Sequence, residues 1–137
     1  MKLTKNFSKN FSKSEFECRC GCEMPDDVLE NVKKLAEQLQ IIRDYVQEPI
    51  IINSAYRCLR HNKMIGSNDR SQHPKGKAAD IVILGFTPDE TASVIENMLT
   101  NETLPSFYIG GLGRYNTFTH VDIRSNTDAR WDNRSKL

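Results

Sequence analysis

The chain has 137 residues, enough for a single domain spanning 1–137 with its own hydrophobic core. Its 38% hydrophobic and 27% charged residues exclude collagen-like, low-complexity and wholly disordered proteins. The net charge of +1 argues against a nucleic-acid partner, and no apolar run reaches the roughly 20 residues that membrane insertion requires. No apolar segment follows the basic N-terminus either, so we expect no secretory signal.

The N-terminal half is predicted to contain one long helix and one buried strand. Residues 1–13 are expected to form an arm, and Ser12-Lys-Ser-Glu15 fits a capping box that begins a short helix. Pro25 and the two aspartates after it suit a helix start, and apolar residues recur at helical spacing to about Val46. Ile50-Ile-Ile52 then predicts a buried strand.

The C-terminal half mixes predicted strands, helices and turns. In chain order we expect a short helix over 59–65, a strand over 79–84, a helix beginning at Thr87, a turn over 110–113, a strand over 118–124 and a loosely held tail over 125–137. Because these elements lack the regular alternation of βαβ units, they predict an α+β fold. We expect a small, mostly antiparallel central sheet with flanking helices.

Cysteines are concentrated near the N-terminus. Cys18, Cys20 and Cys22 alternate along the chain, and Cys58 follows much later. An even number of cysteines suits disulfides, although a domain of this size does not need them. Alternating thiols can also converge on one metal ion, although C-x-C-x-C is not the usual zinc-knuckle spacing. Structural thiols or a disulfide, a structural metal and redox chemistry therefore all remain open.

His73 and Asp80 flank a predicted sharp turn. Pro74 restricts the backbone at His73, and Gly76 allows the chain to double back. Asp80 begins an apolar strand, where a carboxylate is unfavourable unless it is paired, hydrogen-bonded or bound to a metal. The pair predicts half of a metal site, although a simple His–Asp hydrogen bond would give the same pattern.

The strand predicted over 118–124 carries a polar face that packing does not require. Because side chains alternate along a strand, one face consists of Phe118, His120, Asp122 and Arg124. If this face meets His73 and Asp80, a His–Asp–His set results. Three protein ligands with a fourth position open to water are typical of catalytic zinc, which activates water and polarises a carbonyl.

These residues match a known family. Ser71-Gln-His-Pro-Lys-Gly-Lys-Ala-Ala-Asp80 resembles the S-x-H-x-x-G-x-A-x-D signature of the zinc D-Ala-D-Ala carboxypeptidases. That family includes murein carboxypeptidases, phage endolysin endopeptidases and, more distantly, the Hedgehog signalling domain. Three further segments are similar to family elements, namely Ser54-Ala-Tyr-Arg57, His120-Val-Asp122 and Phe16–Cys22. The resemblance covers nearly the whole chain and implies a Hedgehog/D-Ala-D-Ala-peptidase-like fold.

The resemblance implies a role for each matched residue. His73, Asp80 and His120 would bind Zn²⁺. Arg57 would hold a substrate carboxylate or the developing oxyanion with its planar donor fork. Ser71 would bind substrate or support the turn.

The general base is where this sequence departs from part of the family. Many members place a Glu or Asp three residues before the last histidine, where this chain has Thr117. Asp122 lies two residues after His120 on the same predicted face and is the substitute candidate for the catalytic proton carrier. It is equally a candidate for a carboxylate that orients a ligand histidine.

Other conspicuous side chains have ordinary explanations. His61 lies in a polar stretch and is expected to be exposed rather than functional. Tyr115 and Trp131 are candidates to line a groove, although aromatic side chains more often serve packing. The glycines over 110–113 lack the Lys-Ser/Thr of a phosphate-binding loop.

The sequence thus predicts a monomeric zinc metallopeptidase that hydrolyses peptide bonds of bacterial peptidoglycan. It would act as a D-Ala-D-Ala carboxypeptidase or an endolysin-type endopeptidase, and the resemblance points to a phage or prophage. We expect synthesis in the cytoplasm and action on the cell wall or from a virion. One alternative is a non-catalytic zinc module that binds the cell wall, which Thr117 favours. Another is a redox or metal-storage protein centred on the cysteines.

Overall fold

A computed structural model describes residues 6–67, 71–104, 109–124 and 128–135. The strands are β1 (Asn6–Ser8), β2 (Phe11–Ser12), β3 (Ile50–Ser54), β4 (Ala78–Ile83), β5 (Gly111–Arg114), β6 (Thr119–Asp122) and β7 (Ala129–Asp132). The α-helices are α1 (Asp26–Val46), α2 (Leu59–Met64) and α3 (Pro88–Thr100). Short 3₁₀ helices span Lys13–Phe16 and His73–Lys75. None of the helices in these ranges combines the length and apolar character of a membrane span.

A five-stranded sheet is the framework of the fold. Its strand order is β3-β4-β6-β5-β7, and neighbouring strands are antiparallel except for the parallel pair β5 and β7. The strands β1 and β2 form a separate antiparallel pair. Together with the helices, this arrangement confirms the predicted α+β class with a mostly antiparallel sheet.

The long helices begin where the sequence signals lie. Helix α1 starts directly after Pro25, which occupies its N-cap position. The stripe that α1 buries consists of Val28, Val32, Leu35, Ala36, Leu39 and Ile42. A complete capping box begins α3, because the Thr87 hydroxyl accepts from the Glu90 backbone N–H while the Glu90 carboxylate accepts from the Thr87 N–H. Helix α3 packs on β4, β5 and β6, behind the polar face of the sheet.

Two predictions about the C-terminal half are wrong. The segment expected to form a turn over 110–113 is largely strand, because Gly111–Arg114 pairs with β6 on one side and β7 on the other. The tail expected over 125–137 contains Ala129–Asp132, which adds a parallel strand to the sheet edge. The arm expected over 1–13 is also ordered from Asn6 onward, and its Phe11 is buried in the core.

Candidate metal centre

Two rows of side chains cross the sheet and form one wall of the site. The first row, at matching register positions on four strands, consists of Asp80, His120, Gly113 and Trp131. The second row, two residues along each strand, consists of Ala78, Asp122, Gly111 and Ala129. Residues paired in this way point to the same face of a sheet. The polar face predicted for β6 therefore lies directly against Asp80.

The glycines of β5 make room for larger neighbours. A Cβ on Gly111 would overlap the carboxylate of Asp122, and a Cβ on Gly113 would overlap the indole of Trp131. Glycine inside a strand often marks a place where another group approaches the backbone closely. The two missing side chains thus allow Asp122 and Trp131 to lie flat against β5.

His73 reaches the same region from the 3₁₀ helix before β4. Gly76 ends that helix with φ of 73°, and a Cβ there would lie 2.7 Å from Val28 Cγ1, so the turn against α1 requires glycine. Two hydrogen bonds hold the turn. The His73 N–H donates to Ser71 Oγ (3.2 Å), and the Arg57 N–H donates to the His73 carbonyl (3.3 Å). The buried His73 ring is thereby presented to β4.

Three predicted ligand residues converge. His73, Asp80 and His120 each offer a ligand atom, and these atoms lie within 4.8 Å of one another. Oδ1 of Asp80 lies 3.4 Å from Nε2 of His73 and 3.0 Å from Nδ1 of His120. All three residues are buried. The structure therefore brings together the His–Asp–His set predicted from two separate stretches of sequence.

Hydrogen bonds on the far side of each ring fix the histidine tautomers. Nδ1 of His73 lies 2.6 Å from the Ala55 carbonyl oxygen, and Nε2 of His120 lies 2.8 Å from Oδ2 of Asp122. Because a carbonyl and an ionised carboxylate only accept, both far nitrogens carry hydrogen. In a neutral ring the near nitrogen therefore carries the lone pair that a metal would bind, and without a metal the near nitrogen of His120 donates to Asp80 instead. Two imidazole nitrogens and one carboxylate form a donor set that suits Zn²⁺, so these residues fit the metal that the family signature implies.

Asp122 is held behind His120. Its side chain is fully buried and accepts from Arg124 Nη2 (2.7 Å), Arg124 Nε (2.8 Å) and the Arg124 backbone N–H (3.2 Å), in addition to His120. Burial raises the pKa of Asp122, but the hydrogen bonds from Arg124 and His120 outweigh burial and hold that pKa below its usual range. Asp122 is therefore ionised, and both of its oxygens are occupied.

The pKa shifts in the site favour an ionised Asp80 carboxylate beside a protonated His120 ring. Burial raises the pKa of Asp80, but hydrogen bonds from His120 and His73 outweigh it, and the net pKa lies below the usual range. Burial lowers the pKa of His120, but its hydrogen bonds to Asp122 and Asp80 raise the net pKa above the ordinary value. A cation bound between Asp80 and the histidines would therefore contact the ionised carboxylate of Asp80 directly. The ionised carboxylate of Asp122 would lie behind it, on the far side of the His120 ring.

A cavity of about 510 Å³ opens onto the three convergent residues. Its aromatic wall consists of Tyr115, Phe118 and Trp131. The rings of Tyr115 and Phe118 stack at 4.4 Å, and Trp131 Nε1 donates to Tyr115 Oη (2.8 Å) while its ring lies 4.9 Å from that of His120. Of the two alternatives for Tyr115 and Trp131, the structure favours the groove-lining one, because both line this cavity. The polar stretch around Trp131 carried no periodicity that would place it here.

Arg57 lines the cavity, as the sequence predicted, and is only 9% exposed. Burial lowers its pKa from the ordinary value, although arginine keeps its charge at neutral pH. Its buried Nε has no hydrogen-bond partner among the described residues. Arg57 thus brings an unsatisfied cationic donor to the cavity wall.

The remaining candidates are placed as follows. Ser71 lines the cavity while its hydroxyl supports the His73 turn. Thr117 is exposed and does not line the cavity. His61 is half-buried in α2, outside the cavity. Among the described lining residues, Asp80 is the one carboxylate.

The buried His–Asp–His group of this α+β fold is a candidate metal centre. A family model described as Peptidase M15 matches residues 9–122, a range that contains all three convergent residues. The chain belongs to this peptidase family, which confirms the family predicted from the signature. No curated protein matches the chain at a significant level.

Proposed function

We propose that this chain is a zinc peptidase that hydrolyses a peptide bond in the stem peptides of bacterial peptidoglycan. The observation that carries the proposal is the convergence of His73 Nε2, Asp80 and His120 Nδ1 below an open cavity, with both ring tautomers fixed. Membership of the Peptidase M15 family supports hydrolysis of a peptide bond. The cell wall as the place of action follows from the resemblance to D-Ala-D-Ala carboxypeptidases.

Each side chain has a proposed task in this reaction. His73, Asp80 and His120 hold Zn²⁺, which supplies Lewis-acid polarisation of a carbonyl and lowers the pKa of water. Ala55 and Asp122 hold the two imidazoles in the tautomers that leave the near nitrogens free to bind. Asp122 is thus assigned the orienting role, because its two oxygens are already occupied by donors.

Substrate recognition is assigned to two other residues that line the cavity, Arg57 and Tyr115. The Arg57 guanidinium suits a C-terminal carboxylate, which it would bind through two parallel hydrogen bonds. Tyr115 Oη accepts from Trp131, and its own O–H finds no acceptor among the described residues. That hydroxyl is therefore a proposed donor to the oxygen or nitrogen that gains charge as the amide bond breaks.

The test is digestion of purified peptidoglycan, and of a synthetic stem peptide ending in D-Ala-D-Ala, with products identified by mass. We expect the wild type to carry zinc at the His–Asp–His site and to cut the substrate, and His73→Ala to lose both that zinc and the activity. His61→Ala is the matched control, because it removes a histidine outside the cavity. Release of free D-Ala identifies a carboxypeptidase, and shortened cross-links identify an endopeptidase. An active His73→Ala variant would contradict the proposed site.

The wall-binding module is kept as a second candidate by one specific observation. The position where many relatives carry an acidic base is Thr117, and the described cavity lining offers Asp80 alone as a carboxylate. A module of this kind would sediment with peptidoglycan and retain zinc, yet release no product. In that case Tyr115→Phe and Arg57→Ala would change wall binding rather than turnover.

A further inference from the structure

Four thiols converge outside the cavity already described. Cys18, Cys20 and Cys22 lie in the irregular segment before α1, and Cys58 lies at the N-cap of α2. Their sulfur atoms all fall within 4.8 Å of one another. None of the four lines the cavity beside His73. This group, the cysteine cluster, is thus a second gathering of ligand atoms in the same chain.

The four sulfur atoms gather around one point, and most of them lie closer together than they would around a bound zinc ion. The individual Sγ–Sγ distances are 3.1 Å for 18–20, 2.7 Å for 20–22, 3.5 Å for 20–58, 3.1 Å for 22–58 and 4.0 Å for 18–58. A tetrahedron with Zn–S bonds of about 2.3 Å has sulfur atoms about 3.8 Å apart, so shifts of about 1 Å or less would open the cysteine cluster around an ion. All four cysteines contact at least two others, whereas disulfides would divide them into separate pairs. An iron–sulfur cluster is also disfavoured, because its four thiolates bind different irons and stand further apart.

The surrounding backbone is arranged to hold thiolates. The Cys58 N–H approaches Cys18 Sγ (3.5 Å), and the His61 N–H donates to Cys58 Sγ (3.4 Å). The chain turns back between Cys18 and Gly21, whose N–H donates to the Cys18 carbonyl (3.0 Å), so the alternating thiols face one point. Backbone N–H groups directed at sulfur stabilise negative charge there, as the outer partners of metal ligands do.

We propose that Cys18, Cys20, Cys22 and Cys58 bind one zinc ion as a structural tetrathiolate site, separate from the His–Asp–His centre. A closed site with four protein ligands leaves no position for water, so its role is structural rather than catalytic. The chain then carries two zinc ions of different kinds.

The position of the cysteine cluster indicates what this ion stabilises. The segment before α1 has no regular secondary structure between Glu17 and Pro25. The Arg19 guanidinium fastens it to β3 by hydrogen bonds to the carbonyls of Ile52 and Asn53. Just before this segment, the Phe16 carbonyl accepts from the N–H of Tyr56, which follows β3 (3.1 Å). Cys58 directly follows Arg57, whose N–H in turn donates to the His73 carbonyl. An ion in the cysteine cluster would therefore anchor the chain that carries Arg57.

The experiment measures metal stoichiometry on the full chain, kept reduced, stripped of metal and reconstituted with Zn²⁺. We expect two bound zinc ions in the wild type and in the His61→Ala control. His73→Ala and the double variant Cys20→Ser/Cys22→Ser should each retain one. Combining both sets of changes should leave none.

A second measurement uses Co²⁺, because cobalt bound by thiolates shows an intense charge-transfer absorption that cobalt bound by nitrogen and oxygen lacks. We expect this absorption in the wild type and in His73→Ala, and its loss in Cys20→Ser/Cys22→Ser. His73→Ala leaves all four thiols intact, so it tests the cysteine cluster even if the cysteine variants fail to fold. A wild type with one zinc ion that His73→Ala abolishes, or cobalt-loaded His73→Ala without the thiolate band, would overturn the proposal. These readouts are independent of peptidase activity.

Discussion

Replacing Asp122 by asparagine separates the two roles considered for this residue. The carboxylate is fully buried and accepts four hydrogen bonds, one from His120 and three from Arg124. An amide of the same shape has one oxygen and one NH₂ group. Whichever way the amide is turned, its NH₂ faces two donors, so two of the four hydrogen bonds are lost together with the charge.

The lost bonds set the expected change in stability. Hydrogen bonds to charged groups contribute about 1.5–3 kcal/mol each, so two of them amount to about 3–6 kcal/mol. The Arg124 side chain is 25% exposed and regains water when released, which offsets part of the loss. We therefore expect Asp122→Asn to lower the free energy of unfolding by about 3 kcal/mol.

Metal affinity should fall through the tautomer of His120. When the amide NH₂ faces His120 and the amide oxygen accepts from the Arg124 N–H and Nε, the ring is most stable with its hydrogen moved from Nε2 to Nδ1. That hydrogen then lies toward Asp80 and occupies the nitrogen assigned to the metal. Losing the carboxylate that holds a ligand histidine from behind lowers metal affinity by about 10–100-fold. Raising the zinc concentration should consequently restore activity.

The assay is competition for Zn²⁺ against a chromophoric chelator, combined with denaturant unfolding. Asp132→Asn is the matched control, because Asp132 holds Arg134 through the same three hydrogen bonds two residues apart. That pair is solvent-exposed and has no histidine, so its zinc affinity and stability should stay near wild type. Asp122→Asn with wild-type zinc affinity and abolished turnover would refute the orienting role and make Asp122 the proton carrier.

Three further predictions concern the same site. Gly111→Ala should lower the free energy of unfolding by about 2–3 kcal/mol and weaken zinc binding, because its Cβ would displace the locked Asp122 carboxylate; a wild-type Tm would contradict this. Tyr115→Phe should lower kcat more than KM if its hydroxyl donates in the transition state, and steady-state kinetics on the stem peptide decide the matter. The raised pKa of His120 makes its proton stabilising in the zinc-free chain. That contribution is complete below the ordinary histidine pKa of 6.5 and is lost as pH rises through the higher folded value. In EDTA, the Tm of the wild type should therefore fall relative to that of His120→Gln as pH rises through the folded pKa of His120. Zinc affinity should instead rise with pH, because zinc binding displaces the proton.

The grouping of His73, Asp80 and His120 was largely predictable because most of its determinants are local. His73 and Asp80 are fixed by one short turn whose Pro and Gly are visible in the sequence. His120 lies on a strand whose alternation assigns it to a polar face. The register that places Asp80 directly opposite His120 was not visible in the sequence, because any shift by two residues keeps the same side chains on this face.

The rest of the cavity depends on contacts between distant residues. Glycine has low strand propensity, so Gly111–Arg114 looked like a turn, and only the bulk of Asp122 and Trp131 explains why glycine is needed there. Trp131 belongs to a polar segment without periodicity, and its place follows from parallel pairing with β5. The meeting of Cys58 with the earlier cysteines is likewise a long-range contact that spacing does not reveal.

The edge strand β7 adds Trp131 to the wall of the cavity. The family match ends at Asp122, whereas Trp131 stands beyond it and contributes to the cavity through β7 at the sheet edge. The His–Asp–His group and part of the cavity wall are thus encoded in separate stretches of the chain. An edge strand of four residues can be exchanged without altering the pairing of β4 and β6. Changes in this edge strand would therefore reshape the cavity wall while the pairing that places Asp80 opposite His120 is kept.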